Sequence, residues 1–206
     1  MKRGTDHRRP IRAGLIALTF FAPPALAQSR VGARIGLTGS STLVRDSIVQ
    51  ALSIRPNLAP TIGFWIESRL DLVYRVDLGL DMAWSQLTQH TTGAAAADVV
   101  PLTSWTPTIS LRRLVHRNIA ARATMGALIY DPDQKTSNLF RRGAPVFPLL
   151  GLGASMERSV GGGLLLTLDL RYDFHRFTTA SLRDAGFVGQ RPVHRLTLAL
   201  GVSRGL

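Results

Sequence analysis

The chain has 206 residues, 25 basic against 13 acidic side chains, a formal net charge of +12 and no cysteine. That length suits one domain with a sizeable core and leaves two domains short of material. The missing cysteine excludes disulfides, thiolate nucleophiles and thiolate metal sites. Lysine occurs only at Lys2 and Lys135, so the excess charge rests on arginine, a balance that first points to nucleic acid or an acidic surface.

The first element, MKRGTDHRRPIRAGLIALTFFAPPALA (1–27), has a basic front, an apolar run from Ala13 to Ala22 and a small-residue end at Ala25-Leu26-Ala27. The run falls well short of the roughly 20 residues of a spanning helix, and the three-part layout predicts a secretory signal peptide over 1–27. The mature domain is then 28–206, with a net charge of about +8.

From there apolar and polar residues alternate in eight segments. RVGARIGLT (30–38) sets Val31, Ala33, Ile35 and Leu37 against Gly32, Arg34, Gly36 and Thr38. NLAPTIGFWIE (57–67) sets Leu58, Pro60, Ile62, Phe64 and Ile66 against Thr61, Gly63, Trp65 and Glu67. LVYRVDLGLDMAWS (72–85) opposes Leu72, Tyr74, Val76, Leu78, Leu80, Met82 and Trp84 to Arg75, Asp77, Gly79, Asp81 and Ser85. In SWTPTISLR (104–112) the apolar set is Trp105, Pro107, Ile109 and Leu111, with Arg112 on the other face. NIAARATMGALIY (118–130) opposes Ile119, Ala121, Ala123, Met125, Ala127 and Ile129 to Arg122, Thr124, Gly126 and Tyr130. VFPLLGLGASME (146–157) opposes Val146, Pro148, Leu150, Leu152, Ala154 and Met156 to Gly151, Gly153, Ser155 and Glu157. LLLTLDLRYDFH (164–175) is the sharpest case, with Leu164, Leu166, Leu168, Leu170, Tyr172 and Phe174 facing away from Thr167, Asp169, Arg171, Asp173 and His175. HRLTLALGVS (194–203) closes the series with Leu196, Leu198, Leu200 and Val202 against Arg195, Thr197, Ala199, Gly201 and Ser203.

A period of two sustained this way predicts strands. The connections alternate as well: long at 39–56, 86–103, 131–145 and 178–193, short at 68–71, 113–117 and 158–163. An all-β, eight-stranded antiparallel up-and-down barrel fits both patterns. Within 39–56, Val44, Ile48 and Leu52 recur at helical spacing, so that loop holds either a short helix or an extension of the flanking hairpin.

The segments have the length of tilted membrane-crossing strands, about nine to eleven residues, whereas strands of soluble proteins usually run about five or six. Their polar faces carry six arginines and six carboxylates: Arg34, Glu67, Arg75, Asp77, Asp81, Arg112, Arg122, Glu157, Asp169, Arg171, Asp173 and Arg195. A narrow barrel interior needs such local neutrality, because an unpaired buried charge costs several kcal/mol. These twelve are the predicted interior polar network, with Arg122, Arg171 and Asp169 expected to belong to a core ion network. The surplus arginines then lie in turns and ends, where anionic lipid head groups explain them better than nucleic acid, for which interleaved aromatic platforms are expected. Trp84, Trp105, Tyr172 and Phe174 fall near the long-loop end of the apolar face and Phe64 and Tyr74 near the other, as two interfacial girdles would. Trp65 points inward. Pro60, Pro107 and Pro148 each predict a bulge or a strand end nearby.

Leader, strand count, loop alternation and inward charges together resemble the small eight-stranded outer-membrane barrels of Gram-negative bacteria, the superfamily of the outer-membrane protein A transmembrane domain, over 28–206. The chain ends in GVSRGL, with Leu206 where members of that class often carry an aromatic residue. The resemblance implies an outer-membrane location, outer-membrane lipids and lipopolysaccharide as surroundings, and an envelope or extracellular ligand at the long loops.

For chemistry, His175 is the histidine on a polar strand face, two residues from Asp173; the position two beyond it is Phe177, not a hydroxyl. It is read as a rim member of the polar network. No calcium loop, zinc spacing or phosphate cradle is present, so neither cofactor nor metal is expected. Continuous solute passage is not expected either, since an interior of this size is filled by side chains. The reading is a non-enzymatic barrel with a structural or surface-interaction role. Two alternatives stand beside it: an outer-membrane lipid-modifying enzyme, which needs a nucleophile beside His175 in a groove open to the bilayer, and a soluble periplasmic ligand-binding barrel, which needs an apolar or hollow interior.

Overall fold

The computed structural model describes residues 29–46, 52–132, 144–184 and 191–206; the expected signal peptide over 1–27 lies outside them. The strands are β1 (Ser29–Ser40), β2 (Val44–Asp46), β3 (Leu52–Pro56), β4 (Ala59–Arg69), β5 (Tyr74–Thr91), β6 (Ala97–His116), β7 (Ile119–Pro132), β8 (Val146–Gly161), β9 (Leu164–Phe177) and β10 (Arg191–Gly205), with a single helical turn, α1 (Ala180–Asp184). Eight of them close into an antiparallel ring, β1-β4-β5-β6-β7-β8-β9-β10, in which β10 returns to β1. The fold is the expected barrel.

Alternation decides which side chains face out. Ile35 and Leu152 are each 66 % exposed, while Arg34 beside the first is 5 % exposed. The outward leucines of neighbouring strands lie side by side, as in Leu37 beside Leu198 and Ile35 beside Leu200, so the barrel wears a continuous apolar belt. A surface this apolar is stable against lipid and unstable against water.

At one end the strands turn tightly. Asp71 caps the β4–β5 turn by accepting the backbone N–H groups of Val73 at 2.7 Å and Tyr74 at 2.6 Å. The β8–β9 turn runs through Gly161, Gly162 and Gly163, all with positive φ, a conformation that costs glycine little and other residues more.

The opposite end departs from expectation. Residues 86–103 are not a loop: β5 and β6 run on to Thr91 and from Ala97, leaving only 92–96 as the turn. In 39–56, β2 pairs with β3, and β3 takes over the edge of β5 above the point where β4 leaves it, so the described part is the hairpin alternative; 47–51 lie outside the described residues. Above the belt these hairpins stand out as a small sheet. Its inner face and the upper ends of β7 to β10 enclose an apolar cluster that includes Leu43, Ile54, Leu87, Leu102, Leu128, Tyr130, Phe147, Leu149, Phe177 and Val193. The inward positions, ionic below, turn apolar here, and this overturns the rule that every greasy residue faces out.

The prolines divide. Pro60 and Pro148 lie one residue beyond the ladders to β5 and β9, so their missing N–H groups cost no bond there. Pro107 sits in mid-strand, where the β6–β7 ladder skips Thr106 and Pro107 and resumes in the same register. No bulge is needed at Pro107; the register shifts are at Leu87/Thr88, Leu114/His116 and Ser159/Gly161.

Candidate functional site: the barrel interior and its long-loop mouth

From the short-turn end upward, the interior has three levels. The lowest gathers side chains from β4, β5, β6 and β8. Arg112 binds Glu67, Glu157 and the Ser155 hydroxyl. Arg75 lies 3.3 Å from Glu67 and 2.9 Å from Glu157, and Arg30 approaches Glu67 at 3.7 Å. Two carboxylates thus face three guanidinium groups, and the lowest of these open to water.

The middle level is centred on Asp81. Arg34 donates to both of its oxygens at 2.7 and 2.8 Å, and Arg171 donates to Asp81 at 2.7 Å and to Asp173 at 2.9 Å. Such two-pronged, charge-assisted bonds are what the guanidinium plane supports. Arg122 stands 3.4 Å from Asp169 and 3.6 Å from Asp77, while Arg34 lies 4.0 Å from Asp169. Trp65 closes one side, with the Arg34 guanidinium 5.5 Å from its ring centroid. Room for these groups comes from glycine: a Cβ at Gly63 would collide with Asp81, one at Gly151 with Asp173, and one at Gly32 or Gly201 with Trp65.

At the third level the polarity fades. Thr38 links Thr61 at 2.9 Å and Thr197 at 2.8 Å. Arg195 donates to the hydroxyls of Ser104 and Thr106, both at 3.4 Å. Above it His175 is 1 % exposed and meets the Tyr130 hydroxyl at 3.2 Å. Tyr130, Phe147 and Phe177 then pack ring against ring, with centroids 5.3 to 5.8 Å apart.

The structure therefore places eleven of the twelve predicted network residues inside at 0 to 6 % exposure; Arg75, with its side chain 20 % exposed, sits at the lower mouth. Asp169 pairs with Arg122, Arg171 binds Asp81 and Asp173, and Arg34 bridges Asp81 and Asp169, so the three lie in one ion network. Sequence reading missed the apolar cap. Its signal was present as Leu128, Phe147, Leu149 and Val193, which share strand parity with the ionic residues below them.

No family model and no curated protein matches the chain. Among solved structures, Neisserial surface protein A is 12% identical, over 86% of this chain and 97% of that one, with a TM-score of 0.50. The outer membrane protein OprG of Pseudomonas aeruginosa is 9% identical over 86% and 96%, with the same TM-score of 0.50. The likeness to these two, the second of them an outer membrane protein, is one of fold: a small antiparallel β-barrel.

Proposed function

We propose that the protein is a closed, non-enzymatic barrel of the outer membrane, seated among outer-membrane lipids and lipopolysaccharide, whose working surface is the long-loop end. The observation that carries this reading is that side chains fill the interior at two levels. Ion pairs fill the middle, and an apolar cluster caps the mouth. Water and ions crossing that cap would have to displace close-packed leucine and phenylalanine side chains. The enzyme alternative asked for a nucleophile beside His175 in a groove facing lipid; His175 instead points into the barrel against Tyr130. The soluble alternative asked for an apolar or hollow interior; the ionic middle and the belt argue against it, with Leu152 66 % and Leu198 53 % exposed.

The test is electrical. Inserted into planar bilayers, the protein is expected to carry no steady current, and the double variant Phe147→Ala/Phe177→Ala, which opens the cap but keeps the ion-paired levels, to carry none either. A steady open conductance of the unaltered protein would refute the closed reading. The same preparation should shift on a gel upon boiling and fractionate with the outer membrane; a band that does neither refutes the membrane barrel itself.

A further inference from the structure

On the outer flank of the apolar cap lies a cleft of about 600 Å³ that the closed interior does not use. It is framed by the segment after β1, the start of β10 and α1. Ser41 and His194 join the first two through a pair of bonds, the Ser41 N–H to the His194 carbonyl at 2.8 Å and the His194 N–H to the Ser41 hydroxyl at 3.0 Å. Thr179 holds α1 by accepting the Leu182 N–H at 3.2 Å, which sets the Leu182 side chain against the cap. The floor is apolar: Leu182 and Pro192 at its surface, over the buried Leu43 and Phe177. The rim is cationic: Arg45 and Arg191 line the cleft, the first exposed and the second half-buried. Among the described residues, no ion pair uses either arginine.

We infer that this cleft binds a single-chain anionic amphiphile, its tail along Leu182 and Pro192 and its carboxylate between Arg45 and Arg191. This deepens the proposed function, since it assigns a ligand class to the long-loop end. Two features of the site select the class. Arginines outside any ion pair, set beside an apolar surface, gain charge-assisted bonds from a carboxylate and nothing from a neutral chain end. The volume is that of a site for one small molecule, within the range of about 300 to 1,000 Å³, and is too small for the several chains of a lipopolysaccharide anchor. The position suits the ligand as well: the His194 ring stacks on Tyr172, with centroids 5.8 Å apart, and meets Phe174 at 5.6 Å, so the cleft borders the aromatic upper edge of the belt.

The experiment uses the full barrel in lipid nanodiscs with a dodecanoate probe carrying a photoreactive diazirine at its tail, read by binding isotherm and by mass spectrometry of the crosslinked peptides. Crosslinks should map to Leu182 or Pro192. The Arg45→Glu/Arg191→Glu variant, which alters two rim residues outside the cap, should weaken binding about ten-fold or more. Equally strong binding by that variant, or dodecanol binding as well as dodecanoate, would overturn the inference. So would competition by lipopolysaccharide built into the nanodisc, because the head group would then come from the leaflet. Heat-modifiability and conductance of the same samples keep the two readings apart. A sealed, heat-modifiable barrel that takes up no dodecanoate loses this inference and retains the proposed function.

Discussion

The two ends of the barrel interior solve the same problem in opposite ways. Near the short turns, space inside the sheet is filled with charge, and neutrality is reached by two-pronged contacts such as Arg34 and Arg171 on Asp81. Near the long loops, the same inward positions carry Leu128, Phe147, Leu149 and Val193. The difference follows in part from what lies outside. Around the ionic levels the outer face must be apolar for lipid, and an apolar inner face there would make the strands greasy on both sides. Along β5 and β6 the inward Leu87 and Leu102 lie in the hairpin extension, where the outer face carries Gln86 and Thr103, and the sheet packs as a soluble sandwich does. On β8 the cap residues Phe147 and Leu149 still lie between the exposed Val146 and Leu150, so the change of interior begins within the belt.

The largest test of that contrast is Asp81→Ala. It leaves Arg34 and Arg171 without their shared carboxylate in an enclosed site and should cost about 3 to 5 kcal/mol in denaturant unfolding of the reconstituted barrel. Asp169→Ala should cost less, because its contacts are longer, 3.4 and 4.0 Å; equal losses would show that the charges act as one diffuse pool. In the cap, Leu128→Ala creates a void without stranding a charge and should cost about 3 kcal/mol by the same measurement. An arginine on the belt, Ile35→Arg, should cost about 2 kcal/mol in a bilayer; if that variant loses nothing, the belt does not face lipid.

The smallest effect is at the short turns. Bonds from the N–H groups of Tyr74 and Val73 hold the Asp71 carboxyl below its ordinary value. A depressed folded-state value means that the turn is favoured above the unfolded carboxylate range and loses that advantage as pH falls through the folded value. The protection of the Tyr74 amide, its exchange taken relative to the intrinsic rate at the same pH, should accordingly fall only in acid, below about pH 4, and Asp71→Ala should show the lower protection at every pH.

Strand parity made most of this legible in the residues. Where lipid lies on one side, alternation such as LLLTLDLRYDFH leaves a single choice of face, and the buried charges follow from it. It could not show which charge meets which. Asp169 and Arg171 point inward two residues apart, yet each finds its partner on another strand, because pairing depends on how the closed sheet staggers its strands. Nor could it reveal β5 and β6 continuing through 86–103. There Leu87, Val100 and Leu102 face inward, so a rule that assigns apolar residues to the outside no longer holds.

The seam between β1 and β10 imposes an order of assembly. Gly36 lies opposite Ala199 and Arg30 opposite Gly205, so the first and last strands of the ring hold each other's hydrogen-bonding edges. Until they meet, both edges would stand bare in hydrocarbon, where each unmatched backbone group costs several kcal/mol. A partly inserted sheet is thus the least favourable state this chain can visit, and its strands must enter the bilayer together or with an escort that lends them a temporary edge.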